Sequence, residues 1–176
     1  MQVTVLGAGS WGTTVASLVA DRHDTLLWAR NADVVTEINE AHTNNSYLSG
    51  FTLSPRLRAT ADLEEACRHA ELLIVGVPTS AVRSTIEQAV QWIHPWIPIV
   101  SLSKGLEQET LLRMTEVIAE AAPGRPVAAL TGPNIAREIM AGQAAAAVIA
   151  TTDLSVATAI QRMINRGLLR VYTNHD

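Results

Sequence analysis

Short apolar, often β-branched runs alternate with helical stretches along the 176-residue chain. This alternation is typical of a parallel sheet whose strands are joined by crossover helices. Strands are expected at residues 2–6, 25–29, 57–60, 72–77, 97–101, 127–131, 145–150 and 168–173. Helices are expected between them at residues 10–21, 32–39, 62–68, 80–92, 110–121, 135–141 and 153–165. The pattern predicts an α/β fold with a doubly wound, mostly parallel sheet of about eight strands and helices on both faces.

Three glycines, Gly7, Gly9 and Gly12, follow the first expected strand and lead into the first expected helix. Gly7 suits a tight turn, Gly9 lets backbone N–H groups approach a pyrophosphate, and Gly12 allows the helix to pack closely on the strand. The N-terminus of that helix favours the negative charge of a pyrophosphate. The hydroxyl of Ser10 and the backbone of Trp11 are expected to face the phosphates, although Trp11 equally suits a packed aromatic. This turn predicts a Rossmann-type, dinucleotide-binding domain.

Length and composition narrow the class of protein. The chain suits one dinucleotide-binding domain over residues 1–176. It has no run of about eighteen apolar residues and no basic leader, so a soluble cytoplasmic protein without membrane insertion is expected. The net charge of −4 and the scattered arginines argue against nucleic acid as a partner. The histidines show no metal-ligand spacing, so no metal is expected, and the single cysteine, Cys67, is expected to pack in the core.

The local signals at turns sharpen the expected elements. Asp62 and Glu65 have the spacing of a helix-capping pair, and Pro78 is expected to end the fourth strand because it lacks a backbone donor. The longest irregular stretch is expected at residues 40–56 and includes Asn44 and Tyr47. Loops of this length are often functional.

Arg30 follows the second expected strand, where an NAD-selective protein usually places an acidic residue for the ribose hydroxyls. A guanidinium pairs well with a 2′-phosphate or stacks on adenine, so NADP(H) is favoured as the cofactor, with NAD(H) also accommodated. The alternative is a solvated Arg30, with Asp33 serving the ribose.

Lys104 follows the fifth expected strand and is the only lysine among the 13 lysine and arginine residues. Ligands of doubly wound sheets collect at the carboxyl ends of the strands, where Gly76 and Pro78 also lie. A compact ammonium group binds a phosphate or polarises a carbonyl, which makes Lys104 the candidate catalytic residue. Compositional drift that left one lysine is the alternative.

Thr131, Gly132 and Asn134 lie between the sixth expected strand and the next helix. Hydroxyl, amide and backbone N–H groups ahead of a helix form a second candidate anion site, suited to a phosphorylated substrate. The alternative is that Thr131 to Asn134 simply cap the helix.

The chain closely resembles the N-terminal domain of bacterial NAD(P)-dependent glycerol-3-phosphate dehydrogenase over essentially its full length. The resemblance rests on Gly-Ala-Gly-Ser-Trp-Gly-Thr at residues 7–13, Leu-Trp-Ala-Arg at 27–30, Ile-Asn-Glu at 38–40, Tyr-Leu at 47–48, Val-Pro at 77–78, Ser-Lys-Gly-Leu-Glu at 103–107, Gly-Pro at 132–133 and Val-Tyr-Thr at 171–173. It implies an oxidoreductase that reduces dihydroxyacetone phosphate to sn-glycerol 3-phosphate for phospholipid synthesis, and a homodimer for the full-length form.

The resemblance also implies roles for individual residues. Ser10, Trp11, Arg30, Tyr47 and Ala136 are expected to contact the dinucleotide, Lys104 both cofactor and substrate, and Gly132 and Asn134 the glycerol phosphate. The family usually has serine or threonine where this chain has Asn134, whose amide still hydrogen-bonds a hydroxyl or phosphate. The family's second, helical domain, which carries its general-base lysine, has no counterpart within these residues. The chain alone is therefore expected to bind cofactor and to show little turnover.

Two alternatives stay open on the sequence. One is a related reductase, such as ketopantoate reductase or 6-phosphogluconate dehydrogenase, which the segments around Lys104 and Asn134 disfavour. The other is a stand-alone NAD(P)-binding sensor or interaction module without catalysis, against which stands the position of Lys104.

Overall fold

A computed structural model describes residues 1–165, 167 and 169–175. Within these residues the strands are β1 (Gln2–Leu6), β2 (Asp24–Trp28), β3 (Arg58–Thr60), β4 (Leu72–Val75), β5 (Ile99–Ser101), β6 (Val127–Thr131), β7 (Ala145–Ala150) and β8 (Leu169–Asn174). The helices are α1 (Ser10–Ala20), α2 (Ala32–Ala41), α3 (Asn45–Leu48), α4 (Leu63–His69), α5 (Thr79–Ala89), α6 (Met114–Ala121), α7 (Ala136–Met140) and α8 (Leu154–Ile164). A 3-10 turn, Val90–Trp92, continues α5.

All the described strands form one sheet in the order β3-β2-β1-β4-β5-β6-β7-β8. The first six strands along the chain are parallel, β7 runs antiparallel to β6, and β8 is parallel to β7. The predicted doubly wound, mostly parallel sheet is therefore confirmed. The carboxyl ends of β1 to β6 all point the same way, and these strand ends are where ligands are expected to bind.

Two apolar clusters cover the opposite faces of the sheet. Leu72 and Ile74 belong to the cluster that includes α1, whereas Leu73 and Val75 belong to the cluster that includes α5 and α6. Successive side chains of a strand point to opposite faces, so a strand buried on both faces reads as a continuous apolar run. This explains why β4 was evident from its sequence.

The last strand is covered on one face only. Leu169 and Val171 of β8 are buried, whereas Arg170 and Tyr172 between them are exposed. The buried side chains belong to the same cluster as those of α8. The first residue of the expected eighth strand, at position 168, lies outside the described residues.

Among the helices that were expected, the boundary that differs most is the start of α6, which lies at Met114 instead of residue 110. Leu111 has a left-handed φ of 59°, and Leu106 pairs with Arg113 in an isolated β-bridge. The Glu116 side chain accepts a 2.8 Å hydrogen bond from the Arg113 backbone N–H, which fixes the helix start. Residues 110–113 therefore form a tight connection and not a first helical turn.

Two turn signals need correction. Asp62 caps α4 by accepting from the N–H groups of Glu64 and Glu65, but the expected reciprocal bond is absent because the Glu65 carboxylate accepts from the Thr60 hydroxyl. The expected fourth strand was also too long, since β4 ends at Val75, ahead of Pro78. No helix among the described residues is long and apolar enough to cross a membrane.

Candidate functional site

The glycine turn between β1 and α1 is built by backbone contacts that leave no room for a side chain at two of its three glycines. A Cβ added at Gly7, where φ is 111°, would lie 2.8 Å from the backbone of Gly76 and Val77. A Cβ on Gly12 would lie 2.1 Å from the carbonyl oxygen of Gly7. A Cβ on Gly9, in contrast, would meet no atom within 4 Å. Two glycines thus let the backbone close up, whereas the third faces open space.

The first turn of α1 begins at this open space. Gly9 is the N-cap residue, and no side chain caps the helix. The Ser10 hydroxyl donates a 2.5 Å hydrogen bond to the backbone oxygen of Tyr47 on α3. Its oxygen retains lone pairs, whereas its proton is directed at α3. The helix start offers backbone N–H groups to an anion.

A cleft of about 830 Å³ runs along the carboxyl ends of the strands, next to this turn. Of the residues expected at the site, it is lined by Gly7, Gly9, Ser10, Trp11, Arg30, Tyr47, Pro78 and Lys104. Gly12 is buried beneath the turn. Gly132, Asn134 and Ala136 lie outside the lining of this cleft. The structure therefore brings together most of the residues expected to hold a dinucleotide.

Two of these side chains have features that the sequence left open. Trp11 is half-buried against the core cluster of α1 and also lines the cleft, so it is both a packed aromatic and a residue of the cleft. Its indole N–H has no partner among the described residues. Arg30 is exposed at the end of β2 and forms no ion pair within the described part of the chain. Its guanidinium is available to an anionic group in the cleft.

Lys104 connects the cleft to the segment after β6. Its Nζ donates a hydrogen bond to the carbonyl oxygen of Gly132, which also accepts a 2.8 Å bond from the backbone N–H of Asn134. Lys104 also lines a second cleft of about 700 Å³, together with Thr131. The expected cofactor and substrate segments thus meet at this lysine.

The loop that carries Lys104 is anchored on both sides. Before it, the Ser103 hydroxyl donates a 2.6 Å hydrogen bond to the Val77 carbonyl oxygen. After it, Arg83 of α5 donates two 2.8 Å hydrogen bonds to the two carboxylate oxygens of Glu107. The Arg83 guanidinium and then the Thr110 hydroxyl lower the pKa of Glu107 to about 2. The loop is therefore held by an ion pair that persists at neutral pH.

The segment after β6 requires glycine at one position. Gly132 has a φ of 149°, and a Cβ there would lie 2.6 Å from the Ala146 carbonyl oxygen. The half-buried side chain of Asn134 has an Oδ1 without a partner among the described residues. This segment thus offers an amide two residues after the carbonyl that the Lys104 ammonium contacts.

Sequence reasoning missed polar positions on α5 that line the large cleft, namely Ser84, Thr85 and Gln88. Their spacing places them on one face of the helix, a signal that was available but resembles an ordinary solvated face. It also assigned no role to Asn44, which the structure buries against the glycine turn.

Comparison with known proteins adds to this geometry. Residues 2–157 match the family described as "NAD-dependent glycerol-3-phosphate dehydrogenase N-terminus". The chain is 51% identical over 176 residues to glycerol-3-phosphate dehydrogenase [NAD(P)+] 2 of Sphingopyxis alaskensis, with 100% of this chain and 53% of the relative covered. It is 47% identical to glycerol-3-phosphate dehydrogenase [NAD(P)+] 1 of Mycobacterium tuberculosis, with 99% of this chain and 52% of the relative covered.

A crystal structure of glycerol-3-phosphate dehydrogenase from Coxiella burnetii is similar in fold, with a TM-score of 0.91 and 28% sequence identity. The match covers 98% of this chain and 53% of that protein. The chain thus spans about half the length of the relatives that it matches.

Proposed function

Because the chain belongs to the NAD-dependent glycerol-3-phosphate dehydrogenase N-terminus family, we propose that residues 1–176 form the dinucleotide-binding domain of an oxidoreductase. The proposed enzyme interconverts dihydroxyacetone phosphate and sn-glycerol 3-phosphate with NAD(P)H and supplies glycerol phosphate for phospholipid synthesis in the cytoplasm. The observation that carries this proposal is the hydrogen bond from Lys104 to Gly132, which joins the cleft beside the glycine turn to the second anion segment.

The residues of the cleft suit a dinucleotide. Open space at Gly9 and an uncapped helix start at Ser10 would receive the pyrophosphate. Trp11, Tyr47 and Pro78 provide further lining. Bound NAD(P)H supplies the hydride for the carbonyl carbon of the substrate.

Arg30 supports a preference for NADP(H). It lines the cleft at the end of β2, where the adenosine ribose of a dinucleotide lies in this type of fold. A free guanidinium there pairs bidentately with a 2′-phosphate. Asp33, the alternative contact to a ribose hydroxyl, donates its backbone N–H to the Asn31 side chain, which caps α2, and is not among the residues that line the cleft.

Lys104 is the proposed catalytic residue of this domain. Its ammonium group would donate a hydrogen bond to the substrate carbonyl oxygen, or bind the phosphate, and so stabilise the negative charge that develops during reduction. The Gly132 carbonyl holds Nζ in place, and the Asn134 amide is the proposed contact to the glycerol phosphate. The proton that completes the hydroxyl would come from the part of the relatives with which this chain does not align.

Calorimetric titration of the chain with NADPH and NADH tests the cofactor site. We expect Arg30→Ala to weaken NADPH binding about tenfold and to leave NADH binding nearly unchanged, because only NADPH carries the 2′-phosphate. Arg22→Ala is the matched control, since Arg22 is an exposed arginine outside the cleft lining. Equal losses for both nucleotides would contradict 2′-phosphate recognition.

An assay of dihydroxyacetone phosphate reduction tests the catalytic proposal. The 176-residue chain is expected to bind NADPH and to show little turnover, because a single domain cannot close over the substrate and exclude water. Robust reduction by the chain alone would contradict this division of labour. Nucleotide binding without any effect of Lys104→Ala on affinity for dihydroxyacetone phosphate would favour a sensor module without catalysis.

A further inference from the structure

Asn44 makes a buried contact to the glycine turn from outside it. The residue is 0% exposed and precedes α3. Its side-chain Nδ2 donates 2.9 Å hydrogen bonds to the carbonyl oxygen of Ala8 and to the hydroxyl oxygen of Thr13. One amide group therefore joins the middle of the turn to the first turn of α1.

The direction of this contact is fixed by its acceptor. A backbone carbonyl only accepts hydrogen bonds, so the Asn44 side chain must turn its NH₂ group toward Ala8. Its Oδ1 is then left buried without a partner among the described residues. The two hydrogen bonds of Nδ2 therefore fix which way the Asn44 amide faces.

The Ala8 carbonyl controls the neighbouring N–H group. The Ala8–Gly9 peptide is trans, because the described chain contains no cis peptide bonds. In a planar trans peptide the C=O and N–H bonds point in opposite directions. When Asn44 holds the Ala8 oxygen toward the protein interior, the Gly9 N–H is therefore directed away from it. No described residue accepts a hydrogen bond from this N–H.

Helix α3 is attached to the turn a second time. The Asn44 carbonyl oxygen accepts from the backbone N–H of Leu48 at 2.7 Å, and the Ser10 hydroxyl donates to Tyr47. On its outer side, Glu37 of α2 accepts from the Asn45 backbone N–H at 2.8 Å. Ala8 and Ser10, on either side of Gly9, are thus held by α3 and the residue that precedes it.

We propose that Asn44 is a positioning residue of the dinucleotide site, which acts through Ala8 to direct the Gly9 N–H at the pyrophosphate. Asn44 itself touches no ligand. The inference rests on the proposed cofactor binding and adds a residue from outside the glycine motif. It also gives the stretch of residues 40–56 a specific function.

The test compares two ligands that differ in the pyrophosphate. Asn44→Ala is titrated with NADPH and with adenosine 2′-monophosphate, which has the 2′-phosphate for Arg30 but no pyrophosphate. We expect the dissociation constant of NADPH to rise about tenfold, as loss of a buried hydrogen bond allows, with that of adenosine 2′-monophosphate unchanged. A purely structural role would weaken both ligands together.

Asn39→Ala is the matched control. Asn39 also bonds backbone through its side chain, since its Nδ2 donates to the Ala59 oxygen and its Oδ1 accepts from the Ala59 N–H. This bond joins α2 to β3 and does not involve the glycine turn. We expect Asn39→Ala to lower stability and to leave both dissociation constants unchanged.

The outcomes separate the two proposals. If the unmodified chain binds NADPH and folded Asn44→Ala binds it with a dissociation constant within about twofold, only the role of Asn44 is overturned. Failure of the unmodified chain to bind either nucleotide overturns the proposed cofactor site and this inference with it. If Asn44→Ala does not fold, Asn44→Ser replaces it, because serine also lacks the Nδ2 donor but keeps a polar group ahead of α3.

Discussion

Gly9 and Gly12 belong to the same turn but differ in what an added methyl group would meet. A Cβ on Gly12 would lie 2.1 Å from the Gly7 oxygen, so Gly12→Ala must displace α1 from β1. We expect it to lower the free energy of unfolding by about 3 kcal/mol. Gly9 has an extended backbone with φ of −68°, and a Cβ there meets nothing within 4 Å. Gly9→Ala should therefore change stability by less than about 0.5 kcal/mol.

Gly9→Ala should instead affect cofactor binding. The methyl group of Gly9→Ala would occupy the open space proposed for the pyrophosphate, so NADPH should bind about tenfold more weakly to a chain of normal stability. Urea unfolding and calorimetric titration measure the two effects separately. Gly9→Ala that binds NADPH normally would show that the pyrophosphate lies elsewhere.

Cys67 should be unreactive while the chain is folded. Burial, and after it the charge of Asp62, raises the pKa of its thiol to about 12. Thiolate is the reactive form, so modification by a disulfide reagent at about pH 8 should be at least about a thousandfold slower than in urea-unfolded chain. The rate at which the reagent releases its thiolate, followed by absorbance with and without urea, measures the reactivity of Cys67. Rapid modification of the folded chain would contradict the buried position of the thiol.

At the scale of elements, the sequence predicted the strands and helices whose positions depend on their own residues or on burial between the two layers of helices. The strands were evident because β4 is apolar on both faces and β1 is mostly apolar, and α1 was evident from the glycine turn that precedes it. The short helix α3 was not predicted, because it is held by distant partners such as Ser10 and Glu37. No local pattern of residues 40–56 encodes those contacts.

The candidate site was predictable for a similar reason. Residues such as Arg30 and Lys104 follow strands of a parallel sheet, so their convergence at the carboxyl ends of the strands follows from topology. The contribution of Asn44 was hidden, because its partners Ala8 and Thr13 are 36 and 31 residues away in sequence. A buried polar side chain in a loop reveals its role only when its acceptors are known.

The ion pair between α5 and the Lys104 loop should make stability depend on pH. Hydrogen bonds from Arg83 lower the pKa of Glu107 from its ordinary 4.5 to about 2. A carboxyl with a lowered pKa in the folded state stabilises the fold above its unfolded pKa and loses that contribution as protons bind. The contribution of Glu107 is thus complete above about pH 4.5 and is lost as the pH falls toward about 2.

Glu107→Gln isolates this contribution. We expect the variant to unfold at lower urea concentration than the unmodified chain at pH 7, with the difference shrinking as the pH falls from 4.5 toward 2. Glu109→Gln is the control, since Glu109 is exposed and has no hydrogen bond or ion pair within the described residues. A difference that stays constant with pH would mean that packing, and not charge, accounts for the effect of Glu107.

At the scale of the whole molecule, the order of strands places the candidate site on the inner part of the sheet. The glycine turn follows β1, and the Lys104 loop follows β5, and both strands have neighbours on each side. The sheet edges are β3, which has three residues, and β8, which is exposed on one face. Inner strands can lose their backbone hydrogen bonds only when neighbouring strands separate, whereas an edge strand can detach alone.

Amide hydrogen exchange should follow this arrangement. We expect the amides of β1 and β4 to exchange only through global unfolding and those of β8 at least about tenfold faster through local opening. NADPH should slow exchange in the glycine turn and leave β8 unchanged, because the proposed cofactor contacts lie in the cleft and none involves β8. Protection of β8 equal to that of β1 would mean that the sheet opens as one unit. In that case the edge strand β8 would be no less protected than the inner strands next to the candidate site.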